Sequence, residues 1–221
     1  MASDVEKQAA TLSDDGIHAE SLVTLGIALD KSGHRQEALR HMERAKLIKM
    51  GIGASTYGVD FYIASLHYKE KRLPEALDAA EEAWKNSEPE NDMEYRAGIS
   101  YLLGRILFSM NRDSEAMKYI EISLTNSLEI GNRLYSARTR EYMGYGYLRR
   151  GDYLKSYDAY KAAAESFVGT VEEVRGCTRC KDNMAKIKDK QKNPGLNVGF
   201  ERPNLDNNWP SLFYPGAAAS A

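Results

Sequence analysis

Apolar residues recur along most of this sequence at intervals of three and four positions, the spacing that places side chains on one face of a helix. Leu22, Leu25 and Leu29 show this interval, and Met143 and Tyr147 show it again later in the chain. No stretch has the sustained apolar–polar alternation, rich in Val, Ile and Thr, that is typical of strands. The pattern therefore predicts an all-α protein.

A pair of small residues twelve positions apart is the second regularity, and it occurs four times. The second members of the pairs lie at positions 38, 76, 116 and 156, so successive copies are 38, 40 and 40 residues apart. A glycine inside a helix costs about 1 kcal/mol relative to alanine, so a recurring glycine needs a packing reason. We expect each pair to mark the closest approach of two antiparallel helices. The pairs are Gly26 with Ala38, Ala64 with Ala76, Gly104 with Ala116, and Gly144 with Ser156.

Turn signals divide the chain into helical pairs. Gly33 and Gly151 have the position of a helix end, and Asp113 and Asp152 that of a capping residue at the start of the next helix. We predict an N-terminal helix or leader over 1–16, helical near 3–12, then a repeat domain over 17–191 and an irregular tail over 192–221. Within the repeat domain we expect four helical hairpins and a capping helix, at 17–52, 56–91, 92–131, 133–170 and 171–191.

These units resemble tetratricopeptide (TPR) repeats over about residues 17–190. The family's first-helix motif resembles Leu25-Gly26, Leu103-Gly104 and Met143-Gly144, and its second-helix motif resembles Ala38/Met42/Ala45 and Ser156/Tyr160/Ala163. The period is longer than the family's usual 34 or so residues, and it is similar to that of the kinesin-light-chain subgroup and of fungal NLR-type repeat regions. The resemblance implies a right-handed α-α superhelix, a TPR-like solenoid with a capping helix, which binds another protein or a peptide.

In such a repeat array, the binding surface is a concave groove lined by the first helix of each pair. The resemblance implies that aromatic and charged side chains on these helices contact the partner. The aromatic ones could instead form the packing between repeats, and the arginines could instead form salt bridges to Glu141 or Glu94. The candidate residues are Phe61, Tyr68, Tyr101, Arg105, Phe108, Arg138, Glu141, Tyr145 and Lys181.

The tail after Asn193 changes in composition. It is rich in proline and glycine, which excludes a regular helix, yet it also carries large apolar residues such as Phe200 and Trp209. Three interpretations are open: the tail packs on its own repeats and occupies the groove, it is a linear motif for another protein, or it is loose.

Charge and hydropathy exclude several classes of partner. The net charge is −2, without the basic excess that a general nucleic-acid binder needs. No apolar run has the length of a membrane span, and the first residues lack the features of a secretory signal. We therefore expect a cytoplasmic protein with no nucleic-acid or membrane partner.

Chemistry-bearing residues are sparse. The catalytic and phosphate-binding motifs of common enzyme families are missing, so we expect neither an enzyme nor a cofactor. Cys177 and Cys180 form a C-x-x-C pair that reads either as a redox or metal pair or as buried packing on the last helix, and we favour packing. We favour a monomer, but a self-associating module or a remnant of a larger receptor-like protein is the alternative function.

Overall fold

The computed structural model describes the backbone of residues 2–90 and 92–203, and the side chains of residues 13–90 and 92–203. This part of the chain is helical without strands, and it divides into two compact units, one up to Tyr95 and one beginning at Arg96. The all-α prediction is confirmed. None of the helices described is both long and apolar enough to cross a membrane. The helices are α1 Ala2–Lys31, α2 Arg35–Gly51, α3 Tyr57–Lys69, α4 Leu73–Asn86, α5 Met93–Ser109, α6 Asp113–Glu129, α7 Arg133–Arg149, α8 Tyr153–Phe167 and α9 Glu173–Lys192.

The first helix differs from the sequence prediction. We expected a short leader helix that ends near residue 12 and a new helix from 17, but α1 runs without a break from Ala2 to Lys31. The segment Ser13-Asp14-Asp15-Gly16 contains no proline, so each backbone N–H can still donate within the helix. A single glycine weakens a helix but does not end it.

Short turns with one left-handed residue join the helices of each pair. Gly33, Asn111 and Gly151 have positive φ angles of 89°, 60° and 73°, and the N–H groups that follow return to carbonyls of the preceding helix. Glycine and asparagine adopt this conformation at the lowest cost, which explains their place at helix ends. Lys71 takes the same conformation, with a φ of 61°, between α3 and α4.

Of the two predicted capping aspartates, one caps a helix. Asp152 precedes α8 and accepts a hydrogen bond from the Lys155 N–H at 3.1 Å. Asp113 lies one position further in, as the first residue of α6, where its carboxylate accepts a 2.8 Å hydrogen bond from Arg149. The prediction that Asp113 caps α6 is therefore wrong.

Small residues allow the two helices of a pair to approach closely, as the twelve-residue spacing predicted. A Cβ added to Gly26 would lie 3.3 Å from the Ala38 carbonyl oxygen, and one added to Gly104 would lie 3.2 Å from that of Ala116. The Ser156 hydroxyl donates a 2.8 Å hydrogen bond to the Gly144 carbonyl. The close approach is confirmed at these three contacts.

Each unit has its own apolar core. In the first unit, α1, α2 and α3 meet around Val23, Ala38, Met42 and Val59. In the second unit, α7, α8 and α9 meet around Tyr160, Phe167, Cys180 and Ile187. In both cores, alanines on the second helix of a pair keep the helices close while larger side chains fill the space between pairs.

Candidate partner-binding face on the A helices

The first helices of the four pairs, α1, α3, α5 and α7, together with the last helix α9, are called the A helices below, and α2, α4, α6 and α8 the B helices. In the second unit, α7 is packed closely on two sides. A Cβ on Gly144 would lie 3.0 Å from the Tyr160 ring on α8, and one on Gly146 would lie 2.7 Å from Phe108 on α5. The two glycines thus let aromatic side chains lie directly against the backbone of α7.

Aromatic rings fill the space between α5 and α7. The Tyr142 ring is 5.2 Å from that of Tyr101 in an edge-to-face arrangement, and the Phe108 ring is 5.7 Å from that of Tyr145 in the same arrangement. These distances are in the range in which aromatic pairs add to the free energy of burial. Burial raises the pKa of the Tyr101 hydroxyl, so Tyr101 is neutral at physiological pH.

Two arginines lie over this aromatic cluster. The Arg105 guanidinium is 5.4 Å from the Tyr101 ring centre and 5.8 Å from that of Tyr142. The Arg149 guanidinium is 5.7 Å from the Tyr145 ring and also donates 2.8 Å and 2.9 Å hydrogen bonds to Asp113 and Asn111. Cation–π contacts of this kind are attractive and help to fix the planar guanidinium groups in place. Arg149 is not among the sequence candidates, because its contacts depend on how the turn before α6 folds.

Two bidentate charge pairs connect α7 to α9 and to the residue that precedes α9. Arg138 donates through both Nε and Nη2 to the two carboxylate oxygens of Glu172, which precedes α9. Arg179 on α9 donates to Glu141 on α7 at 2.8 Å and 3.0 Å. Burial raises the pKa of Glu141, while the Arg179 guanidinium acts in the opposite direction. The paired geometry holds a buried carboxylate that would otherwise be costly.

By sequence, no family model and no curated protein matches the chain. Solved structures are similar in fold. BtubC (BKLC) from P. vanneervenii is similar over 90% of this chain and 97% of that protein, with 18% identity and a TM-score of 0.57. One crystal structure of the putative kinesin light chain TPR-like repeats of Podosopora anserina matches 78% of this chain and 86% of that one, with 14% identity and a TM-score of 0.65. MamA matches 83% of this chain and 99% of that protein, with 14% identity and a TM-score of 0.54.

The chain has a tetratricopeptide-like repeat fold. The resemblance inferred from the Leu-Gly and small-residue motifs is thereby confirmed at the level of the fold. In this tetratricopeptide-like array, the A and B helices alternate along the chain, and the charged and aromatic groups of the second unit described above lie on A helices or beside them.

The sequence candidates lie in different environments of these repeats. Tyr101, Arg105, Phe108 and Tyr145 come together around Tyr142, whereas Arg138 and Glu141 belong to the two charge pairs. Phe61 is fully buried in the first unit, where its ring lies 6.2 Å from that of Tyr95. Tyr68 is half-buried and Lys181 is exposed. The role of these residues in partner binding stays a prediction.

The described part of the tail packs on α9. The Asn183 side chain donates a 3.0 Å hydrogen bond to the Glu201 carbonyl and accepts a 2.9 Å hydrogen bond from the Glu201 N–H. Phe200 packs against the apolar core of the second unit, and the Arg202 guanidinium is 5.8 Å from the Tyr145 ring. Trp209, on which the apolar character of the tail also rested, lies outside the described residues.

The two cysteines lie in the packing of α9, as favoured from the sequence. Cys180 is fully buried in the core of the second unit, and Cys177 packs against that core with its thiol 3.2 Å from the Ala164 carbonyl. Both are free thiols, and burial raises the pKa of Cys180. Where side chains are described, no group of three His, Cys, Asp or Glu residues is arranged to hold a metal ion.

Proposed function

We propose that this chain is a non-catalytic protein-interaction scaffold that binds an extended or helical segment of another protein in a groove lined by the A helices. The observation that carries this proposal is the arrangement of α5, α7 and α9, which edge-to-face aromatic contacts and the Arg138–Glu172 and Glu141–Arg179 pairs hold together. A surface that is already ordered loses little conformational entropy on binding, which favours affinity. The tetratricopeptide-like fold supports the same function.

The exposure of the candidate residues separates those that could contact a partner from those that would only support the contacting side chains. Tyr68 and Lys181 reach the surface, and Arg138 and Tyr145 retain exposed fractions of 8% and 9%. We propose that these four contact the partner, because aromatic residues and arginine dominate binding energy at protein interfaces. In the second unit, the more deeply buried candidates Tyr101, Arg105, Phe108 and Glu141 would support the contacting residues. Phe61 is the buried candidate of the first unit.

Charge reversal on one A helix tests this proposal. Lys181→Glu on α9 and Lys161→Glu on α8 change the net charge equally, and both lysines are exposed, but only Lys181 lies on an A helix. Affinity capture from native cell extract, with the full chain as bait, should recover the same partner with wild type and with Lys161→Glu. We expect Lys181→Glu to recover roughly fivefold less, since opposite charges at an interface govern association.

Equal recovery with all three baits would show that the A helix face of α9 does not bind the partner. Failure of the wild-type bait to enrich any protein over a bait-free control would contradict the scaffold function itself.

Self-association is a second candidate function, and the surface of α1 favours it. Ile17 and Leu25 are 65% and 45% exposed on α1, where they line an open depression of about 830 Å³ together with Ser21, Thr24 and Ala28. The Ser21 and Thr24 hydroxyls donate to carbonyls of α1 itself, which leaves the depression largely apolar. A second copy of the chain could cover such a surface.

Light scattering over a range of concentrations separates the two functions. Self-association predicts a mass above 24.8 kDa that falls on dilution. Leu25→Glu should then abolish the larger species, while the same substitution at Leu47, a more exposed leucine on α2, should not. A constant monomer mass would leave only the scaffold function.

A further inference from the structure

The Asn183 side chain pairs with main-chain atoms of another segment of the chain. Its side chain is 1% exposed, and its carbonyl and amide groups pair with the N–H and C=O of one residue, Glu201. Neighbouring strands of a sheet pair through the same two hydrogen bonds, one to the N–H and one to the C=O of a single residue. Such a pair binds extended backbone and does not depend on the side chain of the bound residue. The geometry therefore fits an extended peptide and not a helix, whose N–H and C=O groups are already paired.

Side-chain contacts on both sides of Glu201 add selectivity. Phe200 packs against the core of α7, α8 and α9, and Pro203 is buried on the other side. The Glu201 carboxylate lies 3.5 Å from the Lys186 ammonium, and the Arg202 guanidinium lies over the Tyr145 ring. The aromatic residue, the acid and the arginine are thus each matched by a group of the second unit, and the proline that follows them is also buried.

Much of the bound segment is exposed to solvent. The turn at Asn193–Leu196 that connects it to α9 is exposed, and both Glu201 and Arg202 are exposed apart from the contacts named above. A segment tethered by so short a linker binds because its effective concentration is high, on the order of millimolar. A free segment of the same chemistry competes once its own affinity or concentration is sufficient.

We propose that Asn183, Lys186 and Tyr145 form a recognition site for extended peptide segments with consecutive aromatic, acidic, arginine and proline residues. Residues 200–203 of the chain occupy this site in cis, and a partner segment of the same chemistry displaces them. Such a site rests on the proposed scaffold function, because it names one class of segment that the scaffold accepts.

The test uses the full chain and a synthetic peptide, Leu-Asn-Val-Gly-Phe-Glu-Arg-Pro, labelled with a fluorophore at its N-terminus. In the first variant, Phe200→Ala and Arg202→Ala together weaken the hold on the chain's own segment without changing α7 or α9. Fluorescence polarisation should show binding of the peptide to this variant. Binding to the wild-type chain should be about tenfold weaker or more, because the tethered segment competes.

Adding Asn183→Ala to the first variant should weaken peptide binding by about tenfold or more, since two hydrogen bonds are lost. Gln191→Ala, which removes an exposed amide from the same helix, is the matched control and should leave binding unchanged. Circular dichroism and the melting temperature verify that each variant is folded.

Absence of binding to the Phe200→Ala, Arg202→Ala chain would overturn the recognition site. Equal binding to that variant and to wild type would overturn occupation in cis, and binding insensitive to Asn183→Ala would overturn the assigned role of Asn183. All three outcomes are independent of the capture experiment with Lys181→Glu, so the proposed scaffold function can survive the failure of this site.

Discussion

The first helix, α1, leaves Ile17 and Leu25 exposed around an open depression, whereas the last helix, α9, is covered in part by residues 196–203 of its own chain. Both helices pack on their neighbours through small residues. The two helices differ in how deeply the ion pairs that hold them to their neighbours are buried. The Glu141–Arg179 pair of α9 is nearly buried, while the Lys49–Glu20 pair of α1 is half in solvent. α9 is therefore the more constrained of the two.

This difference has a functional meaning. An open apolar depression accepts many partners and gives little selectivity, whereas a site with a buried asparagine, a lysine and an aromatic ring selects a backbone conformation and a sequence. On the two proposals above, α1 would offer an apolar surface to a second copy of the chain, and α9 would offer a site selective for one class of peptide segment. The predictions below test whether the structural part of this contrast holds.

The largest difference in the free energy of unfolding should come from breaking the charge pair of each helix. Arg179→Ala leaves the Glu141 carboxylate buried without its guanidinium partner, and we expect the free energy of unfolding to fall by about 3 kcal/mol. Lys49→Ala removes a partly exposed pair with Glu20 and should cost at most about 1 kcal/mol. Urea denaturation of both variants measures the difference, and equal losses would contradict the contrast.

Adding a methyl group to one glycine in each helix should give effects of opposite sign. A Cβ on Gly176 would lie 2.5 Å from the buried Phe167 ring, so Gly176→Ala should destabilise the chain by about 1–3 kcal/mol. The nearest atom to a Cβ on Gly16 is the Ile52 Cδ1 at 3.9 Å, an ordinary contact. Gly16→Ala should therefore stabilise the chain by about 0.5–1 kcal/mol through helix propensity. Thermal melts measure both effects. An unchanged melting temperature for Gly176→Ala would contradict the close packing of α9 on Phe167.

Releasing the tail segment should have a smaller effect on stability. Asn183→Ala removes two hydrogen bonds to Glu201, whose main-chain groups can then bond to water, so we expect a loss of about 1–2 kcal/mol. Hydrogen exchange should show faster exchange of the Glu201 amide, with α1 unchanged. Unaltered exchange at Glu201 would mean that Asn183 does not hold the tail.

The smallest expected effect is a dependence of the free energy of unfolding on pH. Burial raises the folded-state pKa of Glu141 above its ordinary value of 4.5. A raised carboxyl pKa gives a contribution to stability that is complete below about 4.5 and is lost as the pH rises through the folded-state pKa. Without the guanidinium of Arg179, the pKa of Glu141 should rise further, so the deficit of Arg179→Ala should be larger at about pH 7 than at about pH 5. Adding Glu141→Gln should remove this pH dependence, and a deficit equal at both pH values would argue against it.

Contacts within a helical pair could be predicted from the sequence. Gly26 meets Ala38 and Gly144 meets Ser156 because a short turn of nearly fixed geometry joins the two helices, so their register follows from sequence spacing alone. Contacts between pairs could not. Arg138 bonds to Glu172 and Glu141 to Arg179, 34 and 38 positions away, and these partners depend on how successive pairs rotate against each other.

The contacts of the tail also could not be predicted from the sequence. Its apolar residues suggested that packing on the repeats was possible, but no periodic signal identifies Asn183 as the residue that holds it. A single buried amide in a helix gives no pattern along the sequence, and its role appears only when an extended backbone lies beside it. The break expected between residues 12 and 17 is absent from α1, because no proline there interrupts the backbone hydrogen bonds of the helix.

Site-specific photo-crosslinking tests the central claim, that a partner binds the A helix face, most directly. A photoreactive amino acid would be placed at position 181 on α9 or at position 161 on α8 of the full chain, and irradiated with the captured partner. The account predicts a covalent adduct from position 181 and none from position 161. An adduct from position 161 alone, or equal adducts from both, would contradict it.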